Sequence, residues 1–283
     1  MTEVVVGRVR SLHRYPVKSM QGEALTAAGL GERGVLGDRS YALRGADGRV
    51  LTAKRTKELL GYTAGWGDVV DPGSDPPSIT MSDGTNMNAV AAEVSAVLSE
   101  RLERTVVVEH RDASTNSFGE LDAETIFAGV PIADALAGKR RQLAPDADRY
   151  DLAEGAFFDS ADLHLLTTGT LAHLGPLIGD DVDLDPRRFR PNVFIESESH
   201  LDGFVEDAWI GSRLRIGEVI IHEIWPTLRC VTTTAAQPGI ERDLRVLKTI
   251  VREHATNLGA FASVEEPGLV RVGDPVVLLD PAE

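Results

Sequence analysis

Val219-Ile220-Ile221-His222-Glu223-Ile224 runs straight into Trp225-Pro226-Thr227-Leu228-Arg229-Cys230. The first six residues are mostly apolar and β-branched, the composition of a strand. Pro226 has no N–H to donate, so the ladder is expected to stop there, with the cysteine carried on a loop at a strand end. Cys230 is the only cysteine in 283 residues, and Arg229 stands directly before it. A neighbouring cation favours thiolate, the form that binds metals. A solitary cysteine is by default a small buried hydrophobe, so the rest of the chain has to decide between the two readings.

Outward from this stretch, short strands recur. Residues 193–195, 204–210 and 213–216 read as strands. So does 163–168, with Thr168 then capping a short helix over 169–177. Downstream, Leu244, Leu247, Ile250 and Val251 sit at helical spacing within 243–254. Residues 269–272 and 275–279, joined by Gly273-Asp274, read as a last strand pair. Near the N-terminus, 4–13 reads as a strand, and Asp47-Gly48 between 39–44 and 49–53 predicts a hairpin. Two more short runs flank Asp83-Gly84. Asn88 is expected to cap a helix over 89–101, and 105–110 to form a strand. Gly29, Gly31 and Gly34 match a dinucleotide-loop spacing, but no helix pattern follows, so a glycine-rich turn is expected. Many short strands with few helices define a β-rich α+β protein of barrel type. The junction between two domains, 1–118 and 119–283, is placed near residue 118.

Composition narrows the function. The net charge is −15, which argues against nucleic acid or an anionic membrane as partner. One cysteine excludes an intrachain disulfide and any all-cysteine zinc or iron–sulfur site within the chain. No apolar run is long enough for a spanning helix or a signal peptide, and a cytoplasmic location is expected. The zinc-protease, nucleophile-elbow, P-loop and EF-hand patterns are all missing. The seven histidines are scattered singly, and His164 and His222 read as core or edge residues.

Cations instead mark the chain breaks of this acidic protein. Lys18 follows Tyr15-Pro16, Arg39 opens a strand, Arg187, Arg188 and Arg190 precede Pro191-Asn192, and Arg229 abuts the cysteine. Each alone is an ordinary surface charge. Together they suit a phosphate: guanidinium forks match its oxygens and lysine adds a point charge. Ser19, Thr167 and Thr168 offer hydroxyl donors.

In order along the chain stand Tyr15-Pro16-Val17-Lys18-Ser19, Gly37-Asp38-Arg39-Ser40-Tyr41, Phe189-Arg190-Pro191-Asn192, Glu206-Asp207-Ala208-Trp209, Pro226-Thr227-Leu228-Arg229-Cys230 and Val272-Gly273-Asp274-Pro275-Val276. This ordered set resembles the MOSC-domain family, and within it the mitochondrial amidoxime-reducing component and its bacterial relatives. The resemblance spans nearly the whole chain. It implies an N-terminal β-barrel-like domain followed by a MOSC β-barrel domain, with a molybdenum cofactor (Mo-molybdopterin) between them. It implies that Cys230 ligates the metal, where a soft thiolate suits a thiophilic centre. The cofactor would be held by Lys18, Ser19, Arg39, Thr168, Arg190, Asn192 and Arg229, with Asp207 as a substrate-facing acid. The implied reaction is two-electron reduction of N-hydroxylated compounds (amidoximes, hydroxylamines, N-hydroxylated bases) to the N–H form plus water. The electrons would come from a separate ferredoxin- or cytochrome b5-like protein fed by a reductase. The alternative is a non-catalytic cofactor carrier, as the MOSC domain of molybdenum cofactor sulfurases suggests. Leu228 departs from the small polar residue often found two before the cysteine.

Overall fold

The computed structural model describes residues 3–111, 118–120, 149–151, 156–159, 161–179, 181, 182 and 184–279. In chain order the strands of the N-terminal half are β1 (Val4–Arg14), β2 (Glu23–Leu25), β3 (Ala27–Gly31), β4 (Gly34–Val35), β5 (Tyr41–Gly45), β6 (Thr63–Gly65), β7 (Ser78–Thr80), β8 (Asn86–Asn88) and β9 (Val106–His110), with helix α1 (Val94–Arg101) before the last. A short pair, β10 (Phe118–Glu120) and β11 (Arg149–Asp151), follows. The C-terminal half carries β12 (Leu163–Thr167), α2 (Thr168–Ile178), β13 (Val193–Ser197), β14 (Leu214–Ile216), β15 (Val219–Leu228), α3 (Leu244–His254), β16 (Asn257–Glu266), β17 (Gly268–Arg271) and β18 (Pro275–Leu278).

Seven of these strands close a barrel in the order β13-β12-β16-β15-β14-β18-β1, with β1 returning to β13. All of its pairs are antiparallel except β12–β13, which are parallel and joined through α2. A parallel pair needs such a crossover. The barrel is filled by inward aliphatics, among them Leu12, Leu165, Ile195, Leu214, Ile221 and Ala260, and Trp209 is buried with them. On β1, bulges between Val5 and Gly7 and between Val9 and Ser11 bring Val6, Val9 and Leu12 to the same core. Outside the wall, α2 and α3 pack on Leu166, Phe194 and Leu258. The N-terminal half has its own core of Val17, Met20, Leu43, Leu59, Ile79 and Leu98 under the β5–β9 and β6–β7–β8 sheets.

The two halves are laced together. The first strand of the chain belongs to the barrel of the C-terminal half, and β17 leaves that half to pair with β3. The residue-118 junction falls where much of the surrounding chain lies outside the described residues.

Several local expectations are corrected. Pro226 does not end the strand, because β15 runs on to Leu228. Register slips between His222 and Trp225 and between Pro226 and Leu228 leave the proline at an irregular point of the ladder, where a missing N–H is tolerated. The Asp47-Gly48 turn forms, but its return limb makes only an isolated bridge, Arg44 to Val50, and the strand partner of β5 is β9. Asn88 Oδ1 accepts from Val90 N–H, yet the helix starts only at Val94, after a turn that exposes Val90. Residues 205–209 form a 3-10 turn rather than a strand, because buried Glu206 is drawn to the start of α2 by Thr167 N–H (2.6 Å) and the Thr170 hydroxyl. The cap of α2 is Thr167, whose hydroxyl accepts from Thr170 N–H, and Thr168 is the first helical residue. The last two strands do not pair with each other: β17 goes to β3, while β18 goes to β14 and β1, where it closes the barrel.

Leu12 is fully buried at the seam strand of the barrel. Leu12→Ala is expected to lower unfolding free energy by about 3 kcal/mol, read as a shift of the urea midpoint at unchanged slope.

Candidate functional site

Three of the sequence-selected residues sit in left-handed backbone: Ser19 at φ 71°, Arg39 at 49° and Arg190 at 56°. Only seven non-glycine residues among those described have positive φ, and Ala255 and Thr256 are two more of them. Thr256 anchors the same region, since its carbonyl accepts from Arg229 N–H at 2.8 Å. Such conformations are disfavoured for side-chain-bearing residues and cluster at functional sites. Local chemistry imposes them. Pro191 excludes Arg190 from the right-handed helical region. The 15–19 segment is knitted to 38–41 by Tyr15 N–H to Asp38 Oδ1 (2.7 Å), Arg39 N–H to Tyr15 O (2.8 Å) and Lys18 N–H to Tyr41 O (2.8 Å).

Arg39 is the hub. Its guanidinium lies 4.8 Å from the Tyr15 ring and 3.9 Å from the Phe158 ring, and it pairs with Asp38. Arg190 lies on the same Tyr15 ring at 4.2 Å. Arg39 is within electrostatic reach of Lys18, Arg190 and Arg229. All of these cations are held largely out of water. Burial lowers the Lys18 pKa to about 8, against the pull of Asp159, and lowers Arg190 and Arg229 to about 10. The Lys18 ammonium donates to Phe157 O at 2.7 Å and to Asp159, which Lys54 also meets at 3.2 Å. Burial raises the Tyr15 phenol to about 12, and its O–H donates to Pro191 O at 3.1 Å.

Among the described residues, two donors in this cluster are buried without an acceptor: Arg190 Nη2 and Arg229 Nε. Their neighbours are engaged, Arg190 Nη1 by Met20 O and Arg229 Nη2 by Phe189 O, both at 2.7 Å. Cys230 is half-buried, and its Sγ lies 3.4 Å from Thr232 Oγ1. Its carbonyl accepts from Thr233 N–H (3.1 Å) and from the Thr233 hydroxyl (2.9 Å) at the start of a 3-10 turn. The sulfur lies within electrostatic reach of Arg229.

Lys18, Arg39, Arg190, Arg229 and Cys230 are therefore brought together. Ser19 follows Lys18 in the chain, and its hydroxyl accepts from Ala53 N–H at 2.9 Å. Asn192 is nearby but fully engaged in the fold: its Oδ1 accepts from His164 N–H and its Nδ2 donates to His13 O, both at 3.2 Å, tying β12 to β1. Thr168 hydrogen-bonds Ser197 rather than the basic cluster. It stands four residues along the chain from His164, about 13 Å at strand rise. Asp207 is exposed on the 205–209 turn and bonds His254 Nε2 at 2.7 Å. Arg187 is exposed and paired with Asp185, while Arg188 is buried and holds Thr233 O and Glu241 O, bracing the loop that follows the cysteine. The sequence reading placed His164 in the core, where it is buried, without linking it to the cluster, and it did not place Asp159 or Phe158 there. His164 approaches Arg229 Nη1 and Arg190 O, each at 3.4 Å, and burial drives its pKa well below the ordinary value, so it adds no positive charge. Its partners are 26 and 65 residues distant, and no local pattern could have announced them.

The closed barrel carries this cluster of cations, with Cys230 next to Arg229. The MOSC domain matches residues 153–277 and the MOSC N-terminal beta barrel domain matches residues 6–117, so the chain belongs to the MOSC family. Among similar proteins is human "Mitochondrial amidoxime-reducing component 1", 26% identical over 97% of this chain and 83% of that protein. "Mitochondrial amidoxime reducing component 2" of Macaca fascicularis is also 26% identical, over 96% of this chain and 83% of that protein. The rice "Molybdenum cofactor sulfurase" is 27% identical over 78% of this chain but only 27% of its own length. Among the described residues no helix is long and apolar enough to cross a membrane.

Two outcomes are expected. An anion in the cleft favours charged Lys18, whose pKa in the free protein is depressed to about 8. Sulfate affinity, measured by calorimetry on cofactor-free protein, should therefore fall as pH rises above that value, approaching about tenfold per pH unit. Lys18→Arg, charged throughout, should flatten the profile. Asn192→Leu should instead act on stability, by about 1–3 kcal/mol in chemical denaturation, since both of its amide bonds are structural.

Proposed function

We propose that this protein is a molybdenum-cofactor-dependent reductase of N-hydroxylated compounds, with Cys230 as the metal's protein ligand. The observation that carries the reading is the pair of orphaned, buried guanidinium donors, Arg190 Nη2 and Arg229 Nε, set beside a half-buried thiol. Buried donors without acceptors are rare, and these belong to cations that burial already strains. An anionic, acceptor-rich group fits them, and a phosphate-bearing pterin is such a group. Family membership and the names of the similar proteins support the same conclusion.

In this reading Lys18, Ser19, Arg39, Arg190 and Arg229 hold the phosphate and pterin. Tyr15 fixes the spacing of two guanidinia by stacking with both. Among the described residues there is no cluster of three or more His, Cys, Asp or Glu able to hold a metal, and a single thiolate added to a dithiolene requires none. The cofactor, when bound, supplies the two-electron chemistry; the chain fixes and orients it. Asn192 supports the cleft from behind by holding β12 against β1. Thr168 is proposed only as a residue of the wider rim. Asp207, with His254, is the proposed substrate-side acid. Burial works against charge on His254, but the Asp207 hydrogen bond and charge outweigh it and raise the pKa, so the pair can keep a proton at Nε2. His254 lies two residues before Thr256, the anchor of Arg229. Electrons would arrive from a separate ferredoxin- or cytochrome b5-like protein.

The match to a cofactor sulfurase keeps a second reading in view, a carrier that binds the cofactor without turnover. One experiment separates them. Protein made in a molybdopterin-competent host should contain molybdenum at about one atom per chain and reduce benzamidoxime with an artificial donor. Cys230→Ala should abolish turnover and lose most of the metal. Metal without turnover against any N-oxygenated substrate selects the carrier; a Cys230→Ala protein with full activity refutes the assigned ligand.

A further inference from the structure

The loop that follows Cys230 meets the N-terminal half at Ala235, which packs with Ala53 and Leu60. Two residues on, Gln237 opens a tight turn closed by mutual backbone bonds with Ile240 at 2.9 and 2.8 Å. Its side chain is turned into the seam, and the residue is 8% exposed. Gln21 reaches across from the other half: its Nε2 lies 3.3 Å from Leu60 O and 2.5 Å from Gln237 Oε1.

This chain of contacts fixes the orientation of both amides. The Leu60 carbonyl can only accept, so Gln21 has to present its NH2 there. That same NH2 meets Gln237, so Gln237 has to present its oxygen. The Gln237 NH2 is left facing away from Gln21, buried and without an acceptor among the described residues. Flipping Gln237 would set two donors against each other, so the orphan is built in. A bonded path links it to the cluster described above: Arg190 Nη1 is anchored on the carbonyl of Met20, the residue next to Gln21, and Arg190 Nη2 likewise lacks an acceptor among the described residues.

We infer that Gln237 is a ligand-binding residue of the cleft, its Nε2 donating to a phosphate oxygen. This rests on the cofactor reading, in which that oxygen belongs to the phosphate of the pterin. The arginines supply charge, and Gln237 supplies a neutral donor whose direction Gln21 sets. The loop carrying the thiol thereby contacts the anion as well, so one segment senses both ends of the ligand.

Cofactor-free protein, titrated calorimetrically with inorganic phosphate, tests this. Gln237→Glu keeps an oxygen toward Gln21 but replaces the donor with a negative charge. Gln237→Met removes donor and acceptor, and Gln21→Met removes only the bridge between halves. Phosphate should bind about tenfold more weakly to Gln237→Glu and about fivefold more weakly to Gln237→Met, while Gln21→Met stays within about twofold of the parent. Thermal midpoints are read alongside, and Gln237→Glu, which keeps the bridge, decides if Gln237→Met is unstable. Equal loss in Gln21→Met and Gln237→Met would make Gln237 a bridge only and overturn the inference. Unchanged affinity in Gln237→Glu would overturn it too, leaving the cofactor reading intact. No phosphate binding by the parent protein would instead bring down the cofactor reading itself.

Discussion

Holding cations together out of water is the constraint on which this structure turns. Arg39 sits among Lys18, Arg190 and Arg229, and burial disfavours charge on three of the four. Desolvating a charge is expensive unless partners replace the water. The protein supplies some replacements: Asp38 for Arg39, Asp159 for Lys18, the Tyr15 and Phe158 rings, and carbonyls of Met20, Phe157 and Phe189. Among the described residues it leaves Arg190 Nη2 and Arg229 Nε without any. The deficit lies where an anionic ligand would restore the balance.

The scaffold keeps that arrangement from relaxing. β1 is a wall of the barrel, and it delivers the chain directly into Tyr15-Pro16-Val17-Lys18-Ser19. The lysine of one half is therefore positioned by a strand of the other. Arg190 and Asn192 are fixed at the entry to β13, which pairs with β1. Arg229 and Cys230 leave the end of β15, held through Thr256 at the entry to β16. Left-handed backbone at Ser19, Arg39 and Arg190 adds strain that a looser framework would release. Each segment is tied to the same closed sheet, so the cations cannot drift apart into solvent.

Much of this was legible. Lys18, Arg39, Arg190 and Arg229 were selected from the sequence because they stand on chain breaks marked by glycine, proline or a strand end, and such breaks are where side chains leave a sheet. Alternation and turn residues located most strands. The errors share one cause: local pattern was read where a distant partner decides. Residues 204–210 alternate like a strand, but Glu206 is claimed by Thr167 and Thr170. At Thr168 and Asn192 the structure adds partners that local pattern did not name: Ser197 for the Thr168 hydroxyl, and His164 and His13 for the Asn192 amide.

Residue order alone determined a β-rich chain, a single thiol next to a guanidinium, and a set of cations at chain breaks that together suit an anion. Those are consequences of side-chain chemistry and of backbone rules that act over a few residues. Only the tertiary structure decided that the first strand closes the second half's barrel, that Arg39 lies at the centre of the cluster, and that Asp159, His164, Gln21 and Gln237 belong beside it. Burial and hydrogen-bond satisfaction are set by whatever arrives from elsewhere in the chain, and a sequence does not state which groups will be left without a partner.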